Sequence, residues 1–270
     1  MSQSSSNSPP LLGTFLWHEV MSQDPAGTRA FYTQILGWTV APMPNAPDPE
    51  HYAVFSARGT GVAGVMRLPE QAAAMGAPSH WLGYLGSPNV KATVDQVVAL
   101  GGSVRMPPTA IAGVGTIAVL ADAQGAGFGL LQPESGLPDN MLQSDGNPNG
   151  TVTWHELVTS DLEAAWTFYS TAFGWQLVED MDMGPSGKYR LFSTGGEPIG
   201  GLTNLPPQCT GSAWTHYLQV PDLQAAIDKS IELGAKLERG PETVAGGDRI
   251  ALLVDPQGAF FALHTFPAKK

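Results

Sequence analysis

Hydrophobic and polar positions alternate over short runs, and helical spacing interrupts the alternation at regular intervals. Residues 151–158 (TVTWHELV) alternate as a strand does. Asp161 is then placed to cap a helix, and Leu162, Ala165, Trp166, Tyr169 and Phe173 recur along one of its faces. Gly174 is the residue to close that helix in the left-handed conformation. Strand-like runs follow near 175–180, 187–193 and 198–203. The order then repeats. A strand-like run covers 213–219, and Asp222 caps a helix carrying Leu223, Ala226, Ile227 and Ile231, which Gly234 ends. Further runs lie near 235–239, 248–254 and 259–265. The first half shows the same order, with helices opened by Asp24-Pro25 and by Asn89. The pattern predicts an α+β protein of four βαβββ modules.

The two halves are copies of one another. Trp-His-Glu stands at 17–19 and again at 154–156. Phe31-Tyr32 and Gly37-Trp38 recur as Phe168-Tyr169 and Gly174-Trp175. Tyr52, Gly64, Trp81 and Asp122 have counterparts in Tyr189, Gly201, Trp214 and Asp255. The duplication predicts two homologous domains, 13–133 and 150–267. They are joined by the polar, turn-rich linker 134–149 and preceded by a disordered tail, 1–12.

The series Asp24…Phe31-Tyr32…Leu36-Gly37-Trp38, its copy Asp161…Phe168-Tyr169…Phe173-Gly174-Trp175, and the strand-closing Asp122-Ala-Gln-Gly125 and Asp255-Pro-Gln-Gly258 carry a family resemblance. The chain resembles the vicinal oxygen chelate superfamily, which includes glyoxalase I, bleomycin-resistance proteins and extradiol dioxygenases. Within it, the chain is most similar to bacterial tandem glyoxalase-like proteins whose modules begin Trp-x-Glu-Leu. The resemblance implies that paired modules curl their sheets into cups that hold the site. It also implies a divalent metal that binds two substrate oxygens and stabilises an oxyanion. The ligand positions it points to hold Trp17, Trp154, Gly83, His216, Gly129 and Ala262. Of these only His216 can bind a metal. The segments VAGVM (62–66) and IGGLT (199–203) offer no ligand either.

Composition narrows the picture. Charged residues make up 14% and hydrophobic ones 43%, which excludes disorder driven by charge. The 32 glycines and 23 prolines argue against an all-helical bundle. A net charge of −11 disfavours nucleic acid and anionic membranes as partners. The single cysteine, Cys209, excludes an intrachain disulfide and a multi-cysteine metal site, and reads as a spectator. No apolar run reaches membrane-spanning length, and the opening MSQSSSNSPP is unlike a signal peptide, so the expected location is the cytoplasm.

Strand alternation assigns faces to the candidate residues. Trp17 and Glu19 should face the first cup, and Trp154 and Glu156 the second. His18 and His155 then lie beneath the helices as hydrogen-bonded packing histidines. A carboxylate walled by tryptophan must be paired, protonated or bound to a ligand. Glu19 and Glu156 are therefore either general acid–base groups or structural partners of backbone or of an arginine such as Arg190. Glu156, His216 and His264 could form a displaced His-His-Glu metal set in the second domain. The first domain has Glu19, Gly83 and Leu131 at the matching places and could not. The recurring Trp17, Trp154, Trp81, Trp214, Tyr52 and Tyr189 suit core packing or an aromatic-lined pocket. His51 and His80 read as surface or edge residues.

Three functions follow as expectations. The first is a glyoxalase-like protein that binds or transforms a small carbonyl or hydroxylated aromatic compound, with Glu156 as base and His216 as ligand or acid. Trp154, Tyr189, Trp17 and Glu19 would then contact the ligand. The second is a metal-independent, bleomycin-resistance-type binding protein. The third is an interaction protein with vestigial cups. The expected cofactor is none, or one divalent metal in the second domain. The expected partner is a small molecule, and the chain would be a monomer or homodimer.

Overall fold

A computed structural model describes residues 11–43, 52–135, 149–206 and 211–267. The first half runs β1 (Phe15–Ser22), α1 (Pro25–Leu36), β2 (Thr39–Pro42), β3 (Tyr52–Ala57), β4 (Thr60–Arg67), a short α2 (Glu70–Ala74), β5 (His80–Gly86), α3 (Val90–Ala99), β6 (Ser103–Ile111), β7 (Gly115–Ala121) and β8 (Gly127–Pro133). The second runs β9 (Val152–Thr159), α4 (Leu162–Phe173), β10 (Gln176–Asp182), β11 (Lys188–Ser193), β12 (Gly200–Asn204), β13 (Ala213–Gln219), α5 (Leu223–Glu232), β14 (Lys236–Thr243), β15 (Arg249–Val254) and β16 (Phe260–Thr265). The strands form two eight-stranded mixed sheets of identical order, β2-β3-β4-β1-β5-β8-β7-β6 and β10-β11-β12-β9-β13-β16-β15-β14. The α+β architecture of four βαβββ modules is the one the periodicity predicts. No helix among the described residues is long and apolar enough to cross a membrane. The expected tail and linker fall largely on 1–10 and 136–148, outside the described residues, as do Cys209 and His51.

The caps explain where the helices begin and end. Asp24 accepts from Gly27 N at 3.1 Å, Asn89 from Ala92 N at 3.0 Å and Asp222 from Ala225 N at 3.0 Å. Asp161 accepts from Glu163 N and Ala164 N, both at 3.0 Å. These side chains satisfy amides that the first helical turn leaves open. Gly37 and Gly174 end α1 and α4 at φ 65° and 69°, a left-handed conformation that glycine adopts without steric cost. Two facial assignments need correction. In α4, Phe168 and Ala172 are buried and Trp166 is only half-buried, at the edge of the stripe. In α5, Ser230 is buried and Ile231 is 48% exposed. Ser230 tolerates the core because its hydroxyl donates to Ala226 O at 2.7 Å.

Hydrogen bonding keeps each half of the chain in its own sheet, but packing divides the chain differently. One compact unit comprises Met1–Leu16, Tyr84–Ser144 and Leu157–Ala213, and the other Trp17–Gly83, Asp145–Glu156 and Trp214–Lys270. The core of the second unit joins Phe31, Tyr32, Trp38 and Phe55 from the first half to Leu218, Ile227, Leu253 and Phe261 from the second. At roughly 1.5–3 kcal/mol for each large apolar side chain buried, this shared core is a major part of the unit's stability.

The repeated motifs act across the halves. Asp255 accepts from Gln257 N and Ala259 N at 2.9 and 2.8 Å, and from the Tyr32 hydroxyl at 3.1 Å. In the other unit Asp122 accepts from Gln124 N and Ala126 N at 2.8 and 2.9 Å, and from the Tyr169 hydroxyl at 3.1 Å. Burial raises the pKa of both carboxyls, and these bonds oppose the rise. Trp38 Nε1 donates to Gly150 O, and Trp175 Nε1 to Gly13 O, each at 2.9 Å. The Phe-Tyr, Gly-Trp and Asp-x-Gln-Gly motifs recur because each half supplies donors to acceptors of the other.

Candidate functional site

Within the unit Trp17–Gly83, Asp145–Glu156 and Trp214–Lys270, β1 pairs in parallel with β4, and Glu19 stands opposite Gly64. Glu19 is 4% exposed. The ring of Tyr52, from β3, folds over Gly64, where a Cβ would collide with the phenol oxygen. So placed, the Tyr52 hydroxyl accepts from Trp17 Nε1 at 3.0 Å and donates to the Glu19 carboxylate. Burial, and next the negative charge of Glu19, push the Tyr52 pKa well above that of a free tyrosine, so it remains a proton donor at neutral pH. The result is a buried carboxylate held by a phenol that is itself held by an indole. Its elements are Trp17 and Glu19 on one strand face, and a tyrosine that only the strand register brings alongside.

In the second half, Trp154 and Glu156 share one face of β9 by alternation, and both are half-buried. Trp154 packs against Tyr217, Ile250 and Ala262. In the other unit, Tyr189 lies over Gly201 as Tyr52 lies over Gly64. Arg190 pairs with Asp180 at 2.7 Å and Glu163 at 2.8 Å, which corrects its expected pairing with a cup glutamate.

The displaced His-His-Glu set does not assemble. β13 and β16 are parallel, with Tyr217 opposite Ala262 and Gln219 opposite His264. His216 therefore points to the face opposite His264. His264 Nε2 lies 3.1 Å from Asp248, and its Nδ1 lies 3.0 Å from the Thr153 hydroxyl. His216 instead joins His18 and His155 inside the unit. The His18 and His155 rings stack at 5.1 Å and 7°, and His216 meets them edge-on at 4.8 and 5.4 Å. His155 Nδ1 and His216 Nδ1 are 3.1 Å apart. Burial lowers the pKa of all three; in His18 and His155 neighbouring rings add to it, and His216 falls to about 3. The clue lay in Trp214, which shares its face with His216. Its counterpart Trp81 is a core residue whose Nε1 donates to Tyr32 at 2.8 Å.

The face bearing Trp17 and Glu19 thus offers a carboxylate engaged by a tyrosine, and the face bearing Trp154 and Glu156 gains no imidazole from His216. Among the described residues, the one group of three ligand-type side chains close enough to share a metal ion is His18, His155 and His216. The residues of the cup face do not fit the metal that the fold family employs there. His80 keeps to the surface, its Nδ1 2.8 Å from Pro78 O.

Comparison with known proteins agrees with the architecture. Residues 18–131 match the glyoxalase-like domain family, and residues 151–195 match the bleomycin resistance protein-like N-terminal family. The chain is 30% identical over 251 residues to the Mycobacterium tuberculosis protein named "Putative glyoxylase CFP32", an alignment covering 93% of this chain and 94% of that protein. It is 31% identical over 265 residues to the anthracycline biosynthesis protein DnrV of Streptomyces peucetius, covering 93% and 92%. In fold it resembles the Mn(II)-bound glyoxalase of Novosphingobium aromaticivorans, with TM-score 0.64, 14% identity and coverage of 96% and 83%. It also resembles the 2,3-dioxygenase LapB of Pseudomonas sp. KL28, with TM-score 0.65, 11% identity and coverage of 97% and 97%. With its duplicated βαβββ modules and these relatives, the chain belongs to the vicinal oxygen chelate superfamily as a tandem glyoxalase-like protein.

Proposed function

We propose that the chain binds and transforms a small hydroxylated aromatic or carbonyl compound at the face formed by Trp17, Glu19 and Tyr52, without a metal ion at that face. The observation that carries this reading is the Glu19 carboxylate, 4% exposed and bonded to Tyr52. A carboxylate that accepts one phenol O–H keeps lone pairs for a second donor, such as the hydroxyl of a ligand. Burial strengthens that bond and suits Glu19 to accept the proton. Trp17 supplies an indole beside it for a planar ligand. The relatives named for glyoxylase function and for anthracycline biosynthesis support a small organic substrate.

The test is calorimetric titration with 1,8-dihydroxyanthraquinone, catechol and phenylglyoxal, with ligand consumption followed in parallel. Binding of one of these classes should weaken about tenfold or more in Glu19→Gln, the scale of a lost charge-assisted hydrogen bond. Tyr52→Phe should weaken it less. Binding that neither substitution alters would place the site elsewhere. A second reading, sequestration without chemistry, is favoured by the bleomycin-resistance-like match of residues 151–195. It predicts the same loss of binding in Glu19→Gln, with no consumption of ligand by the wild type.

A further inference from the structure

The three histidines on the core-facing side of the central strands lie outside the cup face. They come from three different strands, His18 on β1, His155 on β9 and His216 on β13. In each strand the residue two places on along the same face is a buried aliphatic: Val20, Leu157 and Leu218, none more than 1% exposed. The histidines themselves are 8%, 7% and 1% exposed. Aliphatic side chains would fill such positions at no desolvation cost, whereas three polar rings incur it three times over. Their ligand atoms all lie within 4.8 Å of one another. His155 Nδ1 and His216 Nδ1, at 3.1 Å, nearly reproduce the separation of two imidazole nitrogens on one tetrahedral zinc, about 3.3 Å for Zn–N bonds of about 2.05 Å.

We propose that His18, His155 and His216 bind one divalent first-row transition-metal ion, zinc by the chemistry of the ligands, as a structural centre joining the opening strands of the first, third and fourth βαβββ modules. Neutral imidazole nitrogen is a ligand such an ion takes readily, and each ring brings one nitrogen to the cluster. The centre serves structure because the burial of the rings bars an organic substrate from it. The equivalent position in the second module holds Gly83, so a water molecule completes the coordination. Zinc enters during folding, since the folded unit encloses the site.

The experiment uses the full chain without a histidine tag, purified without chelator. Metal content is read by elemental mass spectrometry on the protein as isolated, and after refolding from denaturant with Zn(II), Co(II), Ni(II) or Fe(II). The expected result is one metal per chain. Loading should raise the melting temperature by about 5 °C or more, and the Co(II) form should show the visible absorption of a tetrahedral site. His155→Gln and His216→Gln should lose the metal, and His264→Gln should keep it. If the glutamine variants do not fold, nitrogen-15 spectra of the wild-type imidazoles decide. Zinc must shift the ring nitrogens of His18, His155 and His216, and leave those of His264 in place. Retention of nickel or iron in preference to zinc would keep the centre and overturn the choice of ion. No metal after refolding with any of the four ions, or full metal content in both glutamine variants, would overturn the proposal.

Discussion

Gly64 shows how one side chain's absence organises the candidate site. It stands opposite Glu19 in the β1–β4 pairing, and the Tyr52 ring occupies the space a Cβ would need. Gly64→Ala must therefore displace Tyr52 from Trp17 and Glu19. Overpacking of this kind costs roughly 1–3 kcal/mol. We expect a loss of that size in urea unfolding, together with ligand binding weakened as in Glu19→Gln. Gly201→Ala meets the Tyr189 ring in the same way, so its stability should fall by a similar amount, while binding at Glu19 is retained. A Gly64→Ala protein with wild-type stability and binding would show that Tyr52 holds Glu19 by some other means.

At the scale of elements, α4 and the β10–β11 pair are tied by charge. The Arg190 side chain is 6% exposed, bonds both Asp180 and Glu163, and lies over the Trp166 ring at 5.4 Å. Its hydrogen bonds hold the Asp180 carboxyl down to about 2, against 3.8 ordinarily. A carboxylate with a depressed folded pKa stabilises fully above its unfolded value, and that contribution is lost as pH falls through the folded one. Asp180 is 31% exposed, so solvent screening reduces the effect to about 1 kcal/mol. Asp180→Asn should lower stability by about that amount at neutral pH, and the gap from wild type should close between about pH 4 and pH 2. Urea midpoints across that range check it, and a gap that persists at the acid end would show that charge is not its source. The same elements show what was legible in the sequence. Helices and strands were readable because caps and periodicity are local. The faces of β1 and β9 were readable too, because Glu19 and Glu156 mark one side against Val20 and Leu157 on the other. β13 reads AWTHYLQ, apolar on both faces, so alternation grouped its residues without saying which group met the core, and His216 went to the wrong side. Tyr52 could be singled out as a repeated aromatic, but its bond to Glu19 depends on the pairing of β3, β4 and β1, which no local pattern records.

For the whole molecule, duplication suggests two domains in series, whereas each compact unit draws on both halves. If the first half were cut from the second, Phe31, Tyr32, Trp38 and Phe55 would lose the cover of Leu218, Ile227 and Phe261. Tyr32 would also lose Asp255, and Trp38 would lose Gly150 O. Exposing four large apolar side chains at roughly 1.5–3 kcal/mol each is comparable to the whole stability of an ordinary domain. A chain ending at Asn140 should therefore not persist as a folded monomer. Because the halves are copies, it has one way out: Tyr32 of one copy can meet Asp122 of a second, as Tyr169 does in the intact chain. The expected outcome for the isolated half is a homodimer or an unfolded chain. The two halves expressed together, split between Asn140 and Met141, should copurify as one complex with a single cooperative melting transition. Light scattering and thermal unfolding decide between the arrangements. A half that is monomeric and melts cooperatively would mean that the serial domains are independent after all, and that the shared cores contribute little to stability.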